Sequence, residues 1–446
     1  NVPHFTIAYY GGHYAATPIV PLNVLLTADE IAFQLDDSDA MALVAWEGFL
    51  PQAQAAIARV PRCRHLIVAS AGQGPSPDGT ASMDVMLKES PPVLELPLTA
   101  PDDTAVILYT SGTTGRPKGA ELTHFNLFYN AEYSATRLVP MASDEVALLA
   151  LPLFHSFGQT VVQNATLRAG GTLVLMARFD PKGALELMRK HRVTFFAGVP
   201  TMYFALLHFP EADQYDLSGL RYCISGGAPM PVEVMKTFDA KYGVNILEGY
   251  GLSETSPAAS FNTLDRPKKS GSIGMPIWGV EFKLVDEAGN DLEKPDEPGE
   301  ICISGHNVMK GYYKRAEESA EAFRGGWFHT GDIAVRDADG YYFIVDRKKD
   351  MIIRGGFKVY PREVEEVLYA HPAVAEAAVV GVADPALGEE VKAFVVLKAG
   401  VSATAEELID YAKGKLGAYK WPRVVEFREA LPKGSTGKIL KRALRS

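Results

Sequence analysis

A chain of 446 residues is longer than one hydrophobic core ordinarily serves, so at least two domains are expected. A composition of 47% apolar and 22% charged residues excludes a disordered chain, and a formal charge of −10 argues against nucleic acid as a partner. Cys63, Cys223 and Cys302 lack CxxC spacing, which argues against a disulfide framework or a zinc site, and no run nears the roughly 18 apolar residues of a membrane span.

The chain opens in mid-pattern without an initiator Met. Residues 5–22 read as an amphipathic stretch running into PIVPL, so upstream sequence is expected to be missing. No signal peptide is seen, and a cytoplasmic location is expected. Apolar β-rich runs at 147–153, 171–176, 194–198 and 220–225 then alternate with helical patterns at 184–190 and 232–242. This alternation predicts a largely parallel, helix-covered sheet. From 271 to 346 short strands and turns, including EAGN at 287–290 and DADG at 337–340, predict a smaller β-barrel-like part. The polar DRKKD at 346–350 reads as a linker. Beyond it, helices over 362–369 and 405–416 and strands over 377–382 and 393–397 predict a compact α+β domain. That last piece is basic, with 18 Lys and Arg against 13 Asp and Glu from Arg347 onward; the counts before it are 26 and 41. An anionic ligand, chance and solubility are all consistent with the imbalance.

Several stretches carry chemistry. YTSGTTGRPKG at 109–119 sets freely bending backbone beside hydroxyls and cations, a way to surround phosphate oxygens, although it also reads as a surface loop. It is not a Walker loop, because Gly112 and Gly115 are three apart and Lys118 precedes Gly119. His155 in LPLFHSFGQ reads as a packed or a catalytic histidine. In GYGLSET, 249–255, Tyr250 offers a face to a purine and Glu254 a hard oxygen to Mg²⁺; a strand-end turn is the plain alternative. Asp332 in WFHTGD suits ribose hydroxyls, or a turn. Gly355 and Gly356 permit close approach of a ligand. Lys438 in PKGSTGKILKR follows a glycine on a loop, where a solvated lysine is the default. Together these describe a site for ATP and Mg²⁺, with a distant lysine delivered by a separate domain.

YTSGTTGRPKG, GYGLSET, WFHTGD, DRKKDMIIRGG and PKGSTGKILKR stand in the order and at the separations of the adenylate-forming superfamily, which the whole chain resembles. Phrases such as FFAGVPTMY, SGGAPM and RGGFKVYPREVE are most similar to bacterial fatty-acid CoA ligases. The resemblance implies an α/β fold with a large N-terminal domain of helix-covered sheets over 1–348 and a small, mobile α+β domain over 349–446. It implies that a medium- or long-chain fatty acid is adenylated and passed to CoA; an aryl-acid, 4-coumarate-like CoA ligase and a non-catalytic nucleotide-binding scaffold are the alternatives. It assigns Thr110, Ser111, Gly112, Thr113, Thr114 and Lys118 to phosphates, and Thr110 with Glu254 to Mg²⁺. Tyr250 with Gly227, Ala228 and Pro229 goes to adenine, and Asp332 with Arg347 to ribose. Lys438 would join the carboxylate to the α-phosphate, and His155, Gly226, Gly251, Pro257 and Ala258 would line the acyl pocket. Lys349 would be the pivot that swings Gly355 and Gly356 to CoA. A carboxylic acid, ATP and CoA are the partners implied, with room for a peripheral membrane contact and a homodimer.

Overall fold

The strands Phe195–Gly198, Tyr222–Ser225 and Ile246–Gly251 are apolar along most of their length and buried on both faces, as parallel strands between helices must be. In the computed structural model, which describes residues 1–71, 77–111 and 116–445, they lie side by side and parallel. Val146–Leu149 and Thr172–Leu175 extend them on one side. On the other, the antiparallel Ala258–Phe261 and Met275–Pro276 complete a seven-stranded sheet.

Helices cover this sheet, and their ends follow from capping chemistry. Pro181–His191 starts where the Asp180 side chain accepts the Gly183 N–H, and it ends in Arg189, Lys190 and His191, which oppose the negative end of the helix. That cap explains why the helix begins three residues before the apolar pattern does. Val232–Tyr242 stops at Gly243, whose φ of 65° suits a residue without a Cβ.

Three smaller sheets surround this body. Thr104–Ser111 and Pro117–Thr123 form an antiparallel pair, joined by Gly311–Tyr312. The barrel-like part takes the form of a four-stranded antiparallel sheet of Val280–Val285, Gly299–Gly305, Phe328–Arg336 and Tyr342–Arg347. Near the start, Ala42–Trp46, His65–Ala69 and Ala81–Ser82 pair in parallel beside a small core around Leu35, Val60 and Leu66.

Past the DRKKD segment lies a second core, built on Val364, Leu368, Val379, Val395 and Leu408. Its sheet joins Ile352–Arg354, Phe357–Val359, Val374–Asp384, Gly388–Leu397 and Val424–Phe427. The two long strands exceed their apolar runs because Glu376, Glu389 and Glu390 pair in register while their carboxylates bind Lys433, the Ile353 N–H and Arg354. All three cysteines are buried, and among the described residues no helix is long and apolar enough to cross a membrane.

Candidate active site

The parallel strands place a cluster of chemistry-bearing residues at their carboxyl ends, the edge where open α/β sheets bind ligands. Three of the sequence motifs emerge there. His155 follows Val146–Leu149, the glycines at 226–227 follow Tyr222–Ser225, and Tyr250 and Glu254 follow the buried part of Ile246–Gly251.

Thr110 and Lys118 face one another across their antiparallel pair, so side chains eight residues apart in sequence share one face. Thr110 donates its hydroxyl to Oε1 of Glu254 at 3.1 Å, and Tyr312 donates to the same oxygen at 3.1 Å. Lys118 Nζ sits 5.2 Å above the Tyr312 ring, within reach of a cation–π attraction. Tyr312 was not singled out from the sequence, since GYY carries no chemical signal until the fold brings it to Glu254. A carboxylate and a hydroxyl side by side fit Mg²⁺, which completes its shell from waters and phosphate oxygens. Among the described residues no group of three or more His, Cys, Asp or Glu could hold a metal without such help. Gly112, Thr113, Thr114 and the side chain of Ser111, all assigned to phosphates by resemblance, lie outside the described residues.

Asp332 and Arg347 pair in register across neighbouring strands, with Arg347 Nε 3.1 Å from Oδ1 of Asp332. Tyr250 donates its hydroxyl to the other oxygen at 2.6 Å. The phenol is thus anchored at its tip while its ring packs edge-on at 6.4 Å from Phe282. Burial, then Asp332, holds its proton far more tightly than an ordinary tyrosine. Gly227 takes a φ of 77° where the chain turns off its strand, which a Cβ would strain. Ala228 and Pro229 follow in the same turn.

Lys438 enters from the second domain on a tight loop. Gly434 N–H donates to the Lys438 carbonyl at 2.8 Å, and Gly437, at φ 80°, donates to the Gly434 carbonyl at 2.9 Å. Thr201 and Asn23 of the first domain fasten this loop through the Gly437 carbonyl at 3.2 Å and the Ser435 hydroxyl at 2.8 Å. Burial pushes the Lys438 ammonium down to about 8; Arg347 and Lys349 add to the shift, and Asp332 and Asp350 oppose it. His155 feels the same lysine. Burial first, then Lys438, pushes its imidazole down to about 4, and Nδ1 accepts the Phe157 N–H at 3.2 Å. It is therefore a neutral ring at neutral pH.

The two glycines that the resemblance assigns to the acyl pocket have local structural reasons. A Cβ on Gly226 would stand 3.2 Å from the Phe157 ring, and one on Gly251 would run into the Pro257 carbonyl. Gly251 therefore serves the close approach of two backbone segments rather than opening space. Ala258 is buried, its carbonyl accepting from Asn130 and Asn307 at 2.9 Å each. Phe157 begins a π-helical stretch to Asn164, a distortion frequent at functional sites. Gly355 and Gly356, at φ 57° and 83°, turn between two short strands of the second domain, while Lys349 ends the DRKK joint.

The chain is similar to known proteins along its whole length. The profile of the AMP-binding enzyme family matches residues 1–313, and that of the AMP-binding enzyme C-terminal domain matches 363–438. A long-chain-fatty-acid–CoA ligase of Bacillus subtilis (strain 168) is 40% identical over 467 residues, covering 100% of this chain and 83% of that protein. A feruloyl-CoA synthase of Amycolatopsis sp is 41% identical over 448 residues, covering 100% and 87%. Among solved structures, the anthranilate CoA ligase AuaEII in complex with anthranoyl-AMP superposes with a TM-score of 0.92 at 29% identity, covering 100% of this chain and 85% of that one.

Proposed function

The chain belongs to the family of AMP-binding enzymes and is an AMP-forming acid–thiol ligase; from that premise we propose that it converts a medium- or long-chain fatty acid to its CoA thioester in two steps. In the first, a carboxylate oxygen attacks the α-phosphorus of ATP, the bond to the β-phosphate breaks, and pyrophosphate leaves with the electron pair. In the second, the CoA thiolate attacks the acyl carbon and AMP departs with the ester oxygen. The observation that carries the reading is Lys438, brought from the second domain to within the field of Asp332, Arg347 and His155.

Two anions must meet in the first step, so pre-positioned positive charge is the main requirement. Lys438 supplies it between carboxylate and α-phosphate, while Lys118 with the 110–114 segment holds the β- and γ-phosphates. Asp332 and Arg347 hold the ribose, and Tyr250 and residues 227–229 flank adenine. A magnesium ion on Glu254 and Thr110 would neutralise charge on the leaving pyrophosphate. A neutral His155 adds no charge beside the incoming acid. For the second step the domain beyond Lys349 turns about that residue, withdrawing Lys438 and carrying Gly355 and Gly356 towards the CoA arm.

The B. subtilis relative supports an aliphatic acid. A second reading, an aryl acid, is favoured by the Phe157 ring against Gly226, which narrows the space there, and by the feruloyl and anthranilate relatives. Pyrophosphate release across C2–C18 fatty acids and cinnamate-type acids, with and without CoA, tests both. Turnover centred on C8–C18 acids with a thioester product is expected, and preference for aromatic acids would overturn the aliphatic assignment.

A further inference from the structure

The face between the two cores holds a buried ion pair that the nucleotide site does not use. Arg362 belongs to the helix Pro361–Tyr369, beyond the DRKK joint, yet it is buried against the first domain. Its Nη1 donates to the Ile344 carbonyl at 2.8 Å, and its Nη2 reaches the Gly271 carbonyl at 3.4 Å and lies 3.9 Å from Oε1 of Glu248. Glu248 is buried in the strand Ile246–Gly251, two residues before Tyr250. Its Oε1 accepts the Met230 N–H at 3.0 Å, and its Oε2 has no hydrogen-bond partner among the described residues. Burial pushes this carboxyl up to about 7; Arg362 and the Met230 N–H oppose the shift, and Glu366 adds to it. Glu366, one turn beyond Arg362, itself takes the Val232 N–H at the start of the helix Val232–Tyr242. A buried carboxylate stripped of its cation is costly, so the charge of a first-domain strand depends on where the second domain sits.

We propose that Arg362 and Glu248 form a latch across the domain face, one that holds the arrangement bringing Lys438 to the nucleotide site and that parts before thioester formation. The proposal rests on the two-step reading above. Among the described residues Arg362 has no side-chain contact with any assigned to substrate; it is a positioning residue, acting through the placement of Lys438. The two carbonyls fix the guanidinium in direction; Glu366 of the same helix, its Oε1 3.9 Å from Arg362 Nε, travels with it, so Glu248 is the carboxylate that this docked position adds.

The test uses Arg362→Met and Glu248→Gln, singly and together, in the full chain. Adenylation is followed by ATP–pyrophosphate exchange, and the second step by thioester formation from supplied acyl-AMP and CoA. Arg362→Met should lower exchange roughly tenfold, a usual size for coupling between two states, while thioester formation holds or rises. The double variant should be no worse than Arg362→Met. Equal losses in both steps, or losses that simply add, would overturn the latch. Spin labels at Ser218→Cys and Ser402→Cys, both exposed, read domain position without turnover, since the native cysteines are buried. Arg362→Met should add a second distance population; an unchanged distribution refutes the proposal even where exchange falls. Wild-type protein that exchanges with no acid would instead sink the two-step reading, and the label distances would still judge the latch. Should Arg362→Met not fold, Glu248→Gln, which keeps the Met230 contact, carries the same readouts.

Discussion

Raising the pH should switch off the first half-reaction at an unusually low value, because Lys438 is held close to its own titration. An ordinary lysine side chain titrates at 10.5, and this one at about 8, with burial as the largest cause. At about 1.4 kcal/mol per tenfold in proton affinity, the protein surroundings disfavour the ammonium by about 3 kcal/mol. The sign follows directly. The cation is present below pH 8 and is lost as pH rises through it. About a tenth of free enzyme therefore remains competent at pH 9, where an unperturbed lysine would be almost fully charged. Since kcat/KM reports ionisations of the free enzyme, the assay is pyrophosphate release at subsaturating ATP and acid between pH 6.5 and 10. A basic limb centred near 8 is expected, and the corresponding limb of kcat should lie higher, because bound phosphate and carboxylate favour the ammonium. Lys438→Ala should lower adenylation by roughly two to three powers of ten and erase the limb. Thioester formation from supplied acyl-AMP should show no such fall. A kcat/KM profile flat to pH 9.5, or a limb that survives in Lys438→Ala, would refute the assignment.

Three further substitutions probe other parts of the site. Lys349→Pro should leave pyrophosphate exchange intact while abolishing acyl transfer to CoA, and normal acyl-CoA output would place the pivot elsewhere. Tyr312→Phe removes one of two hydroxyls on Oε1 of Glu254 but keeps the ring beneath Lys118. At about 1 kcal/mol for such a bond, the Mg²⁺ concentration needed for half-maximal ATP binding should rise roughly fivefold; titrations that superpose on wild type would count against this role. Gly249→Ala puts a methyl group into the Phe261 ring and should cost about 1–3 kcal/mol in a thermal melt. An unchanged melting temperature would mean that Phe261 has room to move.

The parallel strands and the motif residues were legible for different reasons. Strands such as Phe195–Gly198 announce themselves because both faces are buried, and Val232–Tyr242 because a glycine ends it at the expected place. The motifs were legible as donor chemistry, and the fold brings Thr110, Glu254, Tyr250, Asp332, Arg347 and Lys438 to one edge. What escaped the sequence are partners whose meaning is purely spatial. Tyr312 reaches Glu254 across 58 residues, and Arg362 reaches Glu248 across more than a hundred. Neither has a local pattern, because the pairing is decided by how separate sheets and domains dock. The small parallel sheet near the start was not assigned either; its strands are five residues or fewer and their apolar alternation is brief.

The buried cysteines have a meaning for chemical selectivity. An acyl adenylate is a mixed anhydride, and a thiolate that reaches it takes the acyl group. The protein that makes this reagent carries three thiols of its own. All three are buried, and burial holds each of them protonated, Cys302 up to about 12 and Cys63 and Cys223 likewise above the ordinary thiol value. CoA therefore meets no rival nucleophile of its own kind within the chain. Self-acylation at sulfur is suppressed by the packing of the core, without a guard at the site itself.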